Sequence, residues 1–238
     1  MTRIETFRAL HIPGDPLVLF NIWDAGSAKT VAAAGAKAIA TGSYGVACAR
    51  GSSDGENLSL DAALANLDEI LGVTDLPVSI DMEAGYGADA AAVGRSVARA
   101  QAAGAAGINM EDRMPGETAL LALGQAAARI EAAAATGLFV NARCDVFRGQ
   151  DAVAGGDALI AATLERARAY AEAGAGGLFV PFLSDARCIA AICEASPLPV
   201  NILWSNPCGD RAALAALGVA RISHGHQPWA AARDLSRA

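Results

Sequence analysis

Lysine is nearly missing: Lys29 and Lys37 are the only two among 238 residues, and neither stands at the end of a strand-like run. That placement argues against Schiff-base aldol chemistry, which needs a lysine amine at the reacting carbon. No apolar stretch approaches the ~18 residues of a bilayer-spanning helix. Arg3, Glu5 and Arg8 interrupt the region where a secretory leader would be apolar. A cytoplasmic protein with no membrane partner is therefore expected. A net charge of -7 supplies no concentrated basic surface, so nucleic acid is not expected as a partner. The five cysteines (Cys48, Cys144, Cys188, Cys193 and Cys208) form no C-x-x-C pair and have no histidine at zinc-ligand spacing. Reduced, packed thiols are expected. No G-x-G-x-x-G follows the first strand-like run, which removes the main support for a dinucleotide-binding doubly wound sheet.

Apolar residues, by contrast, make up 53% of the chain, enough for a sizeable core. One phrase recurs: an Ala-rich helical stretch, a Gly at the expected C-cap, then a short apolar run. Copies start at Ala32, Ala102, Glu172 and Ala216. Glycine tolerates the left-handed conformation that ends a helix, so each copy is a helix stop followed by a strand start. Strand-length runs number eight: Leu17 to Asn21, Ala38 to Thr41, Val78 to Asp81, Gly107 to Glu111, Phe139 to Arg143, Gly177 to Pro181, Val200 to Leu203 and Arg221 to His224. Helical patterns lie near Ser27 to Ala34, Leu60 to Leu71, Asp89 to Ala103, Leu121 to Ala135, Gly156 to Ala173, Asp185 to Glu194 and Arg211 to Leu217, with a short last one at Gln227 to Ser236. Eight apolar strands alternating with helices predict an α/β fold, a single-domain (β/α)8 TIM-type barrel over residues 1–238; an open doubly wound sheet is the alternative.

In such a barrel the strand C-termini converge on one mouth, and those ends are polar. The run VSIDMEAGYG places Asp81 and Glu83 at equal parity, which on a continuing strand puts both carboxylates on one face. Neighbouring acids inside a fold need a cation, and Mg²⁺ is a hard ion that takes such oxygen ligands. A helix N-cap or a surface salt bridge is the alternative role. Asn21, Trp23, Asp24, Gly42, Ser43 and Tyr44 follow strands 1 and 2; Glu111 and Asp112 follow strand 4; Asn141, Arg143 and Asp145 belong to strand 5, Asn201 to strand 7, and Ser223 and His224 to strand 8. Acids grouped with one Arg predict a metal-centred anion site, the guanidinium gripping a carboxylate in two places; a structural ion pair with Glu111 or Asp145 is the competing role for Arg143.

These segments resemble the isocitrate lyase and phosphoenolpyruvate mutase superfamily. The resemblance rests on GAKAIATGSYGVA (Gly35 to Ala47), the following Asp54, LPVSIDMEAGYG (Leu76 to Gly87), AGAAGINMEDR (Ala103 to Arg113), FVNARCDVF (Phe139 to Phe147) and AGAGGLFVP (Ala173 to Pro181). It implies a Mg²⁺-dependent barrel, with Mn²⁺ as a substitute, acting on small α-keto or α-hydroxy carboxylates through enolate-type intermediates, and a homo-oligomer. Asp81 matches the direct metal ligand. Glu83, Glu111 and Asp54 match acids that hold the metal mostly through water. Gly42, Ser43 and Tyr44 match the loop that receives the substrate carboxylate, Arg143 the substrate-binding arginine, and Trp23 with Asp24 a position packing against substrate; Asn201 is a further substrate-binding candidate.

The chain also departs from the pattern. Lyases of the superfamily carry K-[KR]-C-G-H after strand 4, its cysteine taken as general acid, and the mutase and hydrolase branch carries Lys and Asn-Ser there. Here Glu111 is followed by DRMPGETALLALGQ, without Cys, Lys or His. His224, which shares parity with His226, and Tyr44 are the candidate proton donors. Members that exchange a last helix between subunits extend further past strand 8. A lyase or decarboxylase is expected ahead of a phosphonate mutase, with a metabolite-binding member lacking efficient turnover as the reading from another class.

Overall fold

The computed structural model describes residues 1–234. The apolar runs form eight strands, β1 (Leu17–Leu19), β2 (Ile39–Ala40), β3 (Val78–Asp81), β4 (Gly107–Glu111), β5 (Phe139–Arg143), β6 (Gly177–Val180), β7 (Val200–Leu203) and β8 (Arg221–Ser223). Among the described residues ten α-helices accompany them: α1 (Arg3–Ala9), α2 (Ala25–Ala33), α3 (Ser43–Ala49), α4 (Leu60–Leu71), α5 (Ala90–Ala102), α6 (Leu123–Ala134), α7 (Ala152–Glu172), α8 (Ala186–Ala195), α9 (Arg211–Ala216) and α10 (Gln227–Ala232). The expected extension of the last helix toward Ser236 runs into residues outside those described. No described helix is long and apolar enough to cross a membrane.

Local chemistry explains the boundaries. Asp24, Ser59, Asp89, Asp151, Asp185 and Asp210 each cap a helix by accepting an N-terminal amide. Two helices have no counterpart in the expectations. Helix α1 does carry a signal, since Thr2 and Glu5 form a reciprocal capping box. Helix α3 carries none, because its N-cap is Gly42, without a side chain to bond. Residues Ser43 and Tyr44, expected in a loop, therefore open a helical turn.

All strand pairs are parallel, in the order β1-β8-β7-β6-β5-β4-β3-β2. The ends meet just past β1 and β2, where Ile22 bridges Thr41, donates to Ala40 O at 2.9 Å and accepts from the Gly42 amide at 3.1 Å. The ring is thus a closed barrel, with Ile80, Ile108, Val140, Leu178 and Ile202 packing outward against the helices in one continuous core. Strand alternation sends the other parity inward. Leu17, Leu19, Ala38, Ala40 and Phe139 fill the bottom, sealed by Phe7 of α1. Gly107 is obligatory there, because a Cβ would lie 2.8 Å from the Phe7 ring. Above them the interior turns polar, with Ser79, Asn109, Asn141, Asn201, Arg221 and Ser223 all buried.

Candidate active site

The strand C-termini open into a cavity of about 340 Å³ whose wall includes Ser43, Tyr44, Asp54, Asp81 and Arg143. Beside it, a second recess of about 540 Å³ holds Glu83, Glu111 and Glu117 and shares Asp54, Arg143 and Arg148 with the first. The four acids expected around a metal therefore border one continuous region.

Asp81 is held by backbone amides. Its Oδ2 accepts the Ser43 amide and its Oδ1 the Glu83 amide, both at 3.2 Å. The parity argument fails past Asp81, because the strand ends there and Glu83 takes a left-handed φ of 49°. Glu83 remains beside Asp81 because the chain folds back, with Gly85 (φ 104°) completing the turn. Its carboxylate accepts the Glu56 amide at 2.6 Å and the Tyr86 hydroxyl at 3.3 Å. A non-glycine residue in this region carries strain, which clusters at functional sites.

The electrostatics fit a cation. Burial raises the Asp81 carboxyl above its ordinary range; Arg143 opposes the shift and Asp54 adds to it. Burial, then Asp81 and Asp54, push Glu83 up to about 8. Glu111 rises to about 7, from burial first, with Arg143 opposing and Asp81 adding. Among the described residues no three His, Cys, Asp or Glu side chains form a ready-made cage. Mg²⁺ requires none, since it keeps several waters and takes one or two carboxylates directly. Oxygen donors that resist ionising together are a donor set suited to a hard divalent ion.

A pH dependence follows from those shifts. Glu83 and Glu111 keep their protons in the folded protein at pH values where the unfolded chain, with carboxyls near 4.5, has lost them. The native state then binds more protons, so metal-free stability falls as pH rises from about 4.5 toward 8. Thermal melts without divalent ions should show a declining Tm from pH 5 to pH 8, with Mg²⁺ stabilising more at pH 8 than at pH 6. A metal-free Tm that rises across this window would contradict the proximity of the acids.

Arg143 is held on two sides. Its Nε and Nη2 donate to the two oxygens of Asp145 at 2.7 and 3.0 Å, and its Nη1 donates to Glu111 Oε1 at 2.6 Å. Burial opposes its charge, yet Glu111 and Asp145 hold the guanidinium firmly protonated. The ion pairs expected as an alternative are thus present, and the side chain still lines the cavity. The loop after β4 is pinned beside it. Arg113 donates to Asp145 at 3.2 Å and to Glu117 O at 2.6 Å, and Glu117 and Thr118 face the second recess. Asp112 points away, accepting from Tyr170 at 2.7 Å and Arg166 at 3.1 Å.

Several expected positions move. Asp24 is spent as the α2 cap, bonding Ser27 at 2.7 Å, and Trp23 packs edge-on against Trp229. Both line an outer groove of about 740 Å³ along β1 rather than the mouth. Asn201 lies a layer below the cavity and donates to Ser223 at 3.1 Å. The Gly42 amide is already bonded to Ile22 and the Ser43 amide to Asp81, so neither is a spare donor for a substrate carboxylate. His224 is stacked between Phe20 and Trp204, and burial lowers its pKa. His226, two residues on, lines the cavity with its ring 5.7 Å from that of Tyr44, because the turn at Gly225 reverses the chain. Sequence reasoning also missed Phe182. This residue has a φ of 64° and is 49% exposed, and its ring stands 5.8 Å from the Arg143 guanidinium and 5.2 Å from that of Arg148.

Comparison with known proteins places this architecture in a family. The family model described as phosphoenolpyruvate phosphomutase matches residues 7–238, and the chain belongs to that family. A solved Burkholderia cenocepacia J2315 protein, provisionally called a phosphonomutase, is 45% identical with a TM-score of 0.95, over 99% of this chain and 96% of that one. An uncharacterised protein of Mycobacterium tuberculosis (strain H37Rv) is 38% identical over 95% of this chain and 84% of its own. The 2-methylisocitrate lyase of Escherichia coli K12 is 31% identical, covering 82% of this chain and 68% of that enzyme. The chain is thus an enzyme of the phosphoenolpyruvate mutase and isocitrate lyase superfamily, built on a (β/α)8 barrel.

Proposed function

We propose that the protein is a Mg²⁺-dependent lyase or decarboxylase that breaks a bond next to the C2 oxygen of a small keto or hydroxy carboxylate. The observation that carries this is the grouping of Asp81, Glu83, Glu111 and Asp54 around a cavity that also holds Arg143. A bound Mg²⁺ supplies polarisation of the C2 oxygen and neutralises charge as the adjacent bond breaks. In this reading Asp81 would hold the metal, with Glu83, Glu111 and Asp54 as the further acids that would keep it in place. Arg143 has two N–H groups beyond those given to Asp145 and Glu111, and these face the substrate carboxylate. Tyr44, 44% exposed, and His226 are the proton-bearing groups at the rim.

Next to Arg143 the lining is apolar: Phe179, Pro181, Phe182 and Leu203. That side suits an uncharged substituent at C3. With no Cys, Lys or His between Asp112 and Gln125, a reaction that needs no acid from this loop is favoured. With Mg²⁺, the protein should release CO₂ from oxaloacetate above the metal-only background and form no glyoxylate from isocitrate. Strong glyoxylate production would show that Tyr44 or His226 replaces the missing acid and would reverse this ranking. Phosphonate chemistry is the second reading, favoured by the Burkholderia relative's designation; phosphonopyruvate turnover exceeding that of oxaloacetate would establish it.

Cytoplasmic residence is part of the proposal, supported by five cysteines without a disulfide. Self-association is another, supported by the open groove along β1, where Ile12 and Phe20 are exposed. A solution mass of only 24.0 kDa would remove it.

A further inference from the structure

Arg221 is the largest side chain sealed completely inside the protein, at 0% exposure. Burying a charge is costly unless a carboxylate answers it. The ion pairs around the mouth belong to Arg113, Arg143, Arg148 and Arg166, and among the described residues Arg221 has none. Its bonds are to neutral groups: Nε donates to Ser223 Oγ at 3.2 Å and Nη2 to Asn109 Oδ1 at 3.1 Å. The Nη1 group has no hydrogen-bond partner. Phe7 lies below, with its ring 5.9 Å from the guanidinium. Burial pulls the guanidinium down to about 9 and Asp81 pulls it back up, so it stays charged at neutral pH. His11 near it is pushed down to about 3, by burial first and then by Arg221, and carries no charge of its own.

A fold that needed only packing here would hold a leucine or valine, the usual filling of a barrel interior. The position instead holds a cation without an ion pair directly under the functional cavity. Both of its neutral partners, Asn109 and Ser223, form part of the floor of that cavity. The charge therefore reaches the site through a single layer of side chains, in a medium where Coulomb terms are weakly screened.

We propose that Arg221 is the internal counter-charge of the active site, a positioning residue that fixes the floor through Asn109 and Ser223 and biases the cavity toward anionic ligands. This rests on reading the cavity as a metal-assisted carboxylate site. A cation at that depth has opposite effects on the two ligands: it repels Mg²⁺ and attracts the substrate carboxylates and the negative charge that develops on them.

Calorimetry on the full-length protein tests this, with Mg²⁺ alone as one titrant and oxalate at saturating Mg²⁺ as the other. Arg221→Gln removes the charge and retains polar groups for Ser223 and Asn109. Oxalate affinity is expected to fall about tenfold, a Coulomb effect across one layer, while Mg²⁺ affinity holds or rises. Arg221→Lys keeps the charge and should retain oxalate affinity within about threefold. Both affinities falling together in the Gln variant would overturn the proposal, because a structural role damages the two sites alike. So would a tenfold oxalate loss in the Lys variant, the deciding measurement if the Gln variant does not fold. Wild-type protein that takes no oxalate defeats the carboxylate reading and this proposal with it; wild-type binding with equal affinity in the Gln variant defeats only the role of Arg221.

Discussion

Asp81→Ala is expected to abolish Mg²⁺ binding and to lower Mg²⁺-dependent turnover on the order of a thousandfold, since a lost metal withdraws several kcal/mol of transition-state charge stabilisation. The fold should survive. The Asp81 carboxylate accepts from two amides, its backbone N–H donates to Thr41 Oγ1, and the side chain closes no ion pair among the described residues. It is also one of the charges that drive up Glu83 and Glu111, so its removal eases repulsion in the metal-free protein. The Tm of metal-free Asp81→Ala at pH 8 should therefore equal or exceed that of the wild type. Unchanged Mg²⁺ affinity by calorimetry would sink the assignment, and with it the roles given to Glu83 and Glu111.

The barrel was legible in the sequence because its determinants are local. The glycine that follows the Ala-rich stretches at Ala32, Ala102, Glu172 and Ala216, with an apolar run after it, marks the βα repeat, and of the eight apolar runs those of β3, β4, β5 and β7 have the observed strand bounds. Helix α3 was not legible, since its seven residues carry neither a capping side chain nor a periodic face. The site divides along the same line. Asp81, Glu111 and Arg143 are strand residues, and strand parity points them into the barrel. Errors begin one or two residues past a strand end, where the backbone leaves the extended region and parity loses its meaning. Glu83 reaches the site by a left-handed turn, and the reversal at Gly225 exchanges His224 for His226. Asp24 was misplaced for another reason, because a capping aspartate and a ligand-binding aspartate look identical until its Ser27 partner is seen. Arg221 was hidden by context: it opens a three-residue strand, and only barrel closure shows that it is buried without a carboxylate.

Arg143→Lys is expected to weaken oxalate binding at saturating Mg²⁺ by roughly 2 to 3 kcal/mol, the range for hydrogen bonds to charged groups. Lysine keeps the charge but is a point donor, and it cannot hold Asp145 and Glu111 while presenting two further N–H groups to a carboxylate. The structural loss should be smaller than the binding loss. Asp145 retains Arg113 at 3.2 Å and Arg148 at 3.5 Å, and Glu111 retains Arg113 at 3.8 Å, so neither acid is left without a cation. The ammonium itself can still pair with one of them. A modest fall in Tm with a large fall in oxalate affinity is therefore the signature of a guanidinium that grips substrate. A large fall in Tm with unchanged oxalate affinity would assign Arg143 to the Glu111 and Asp145 ion pairs alone, and Arg148 would then be the cation left on the cavity wall to bind an anion.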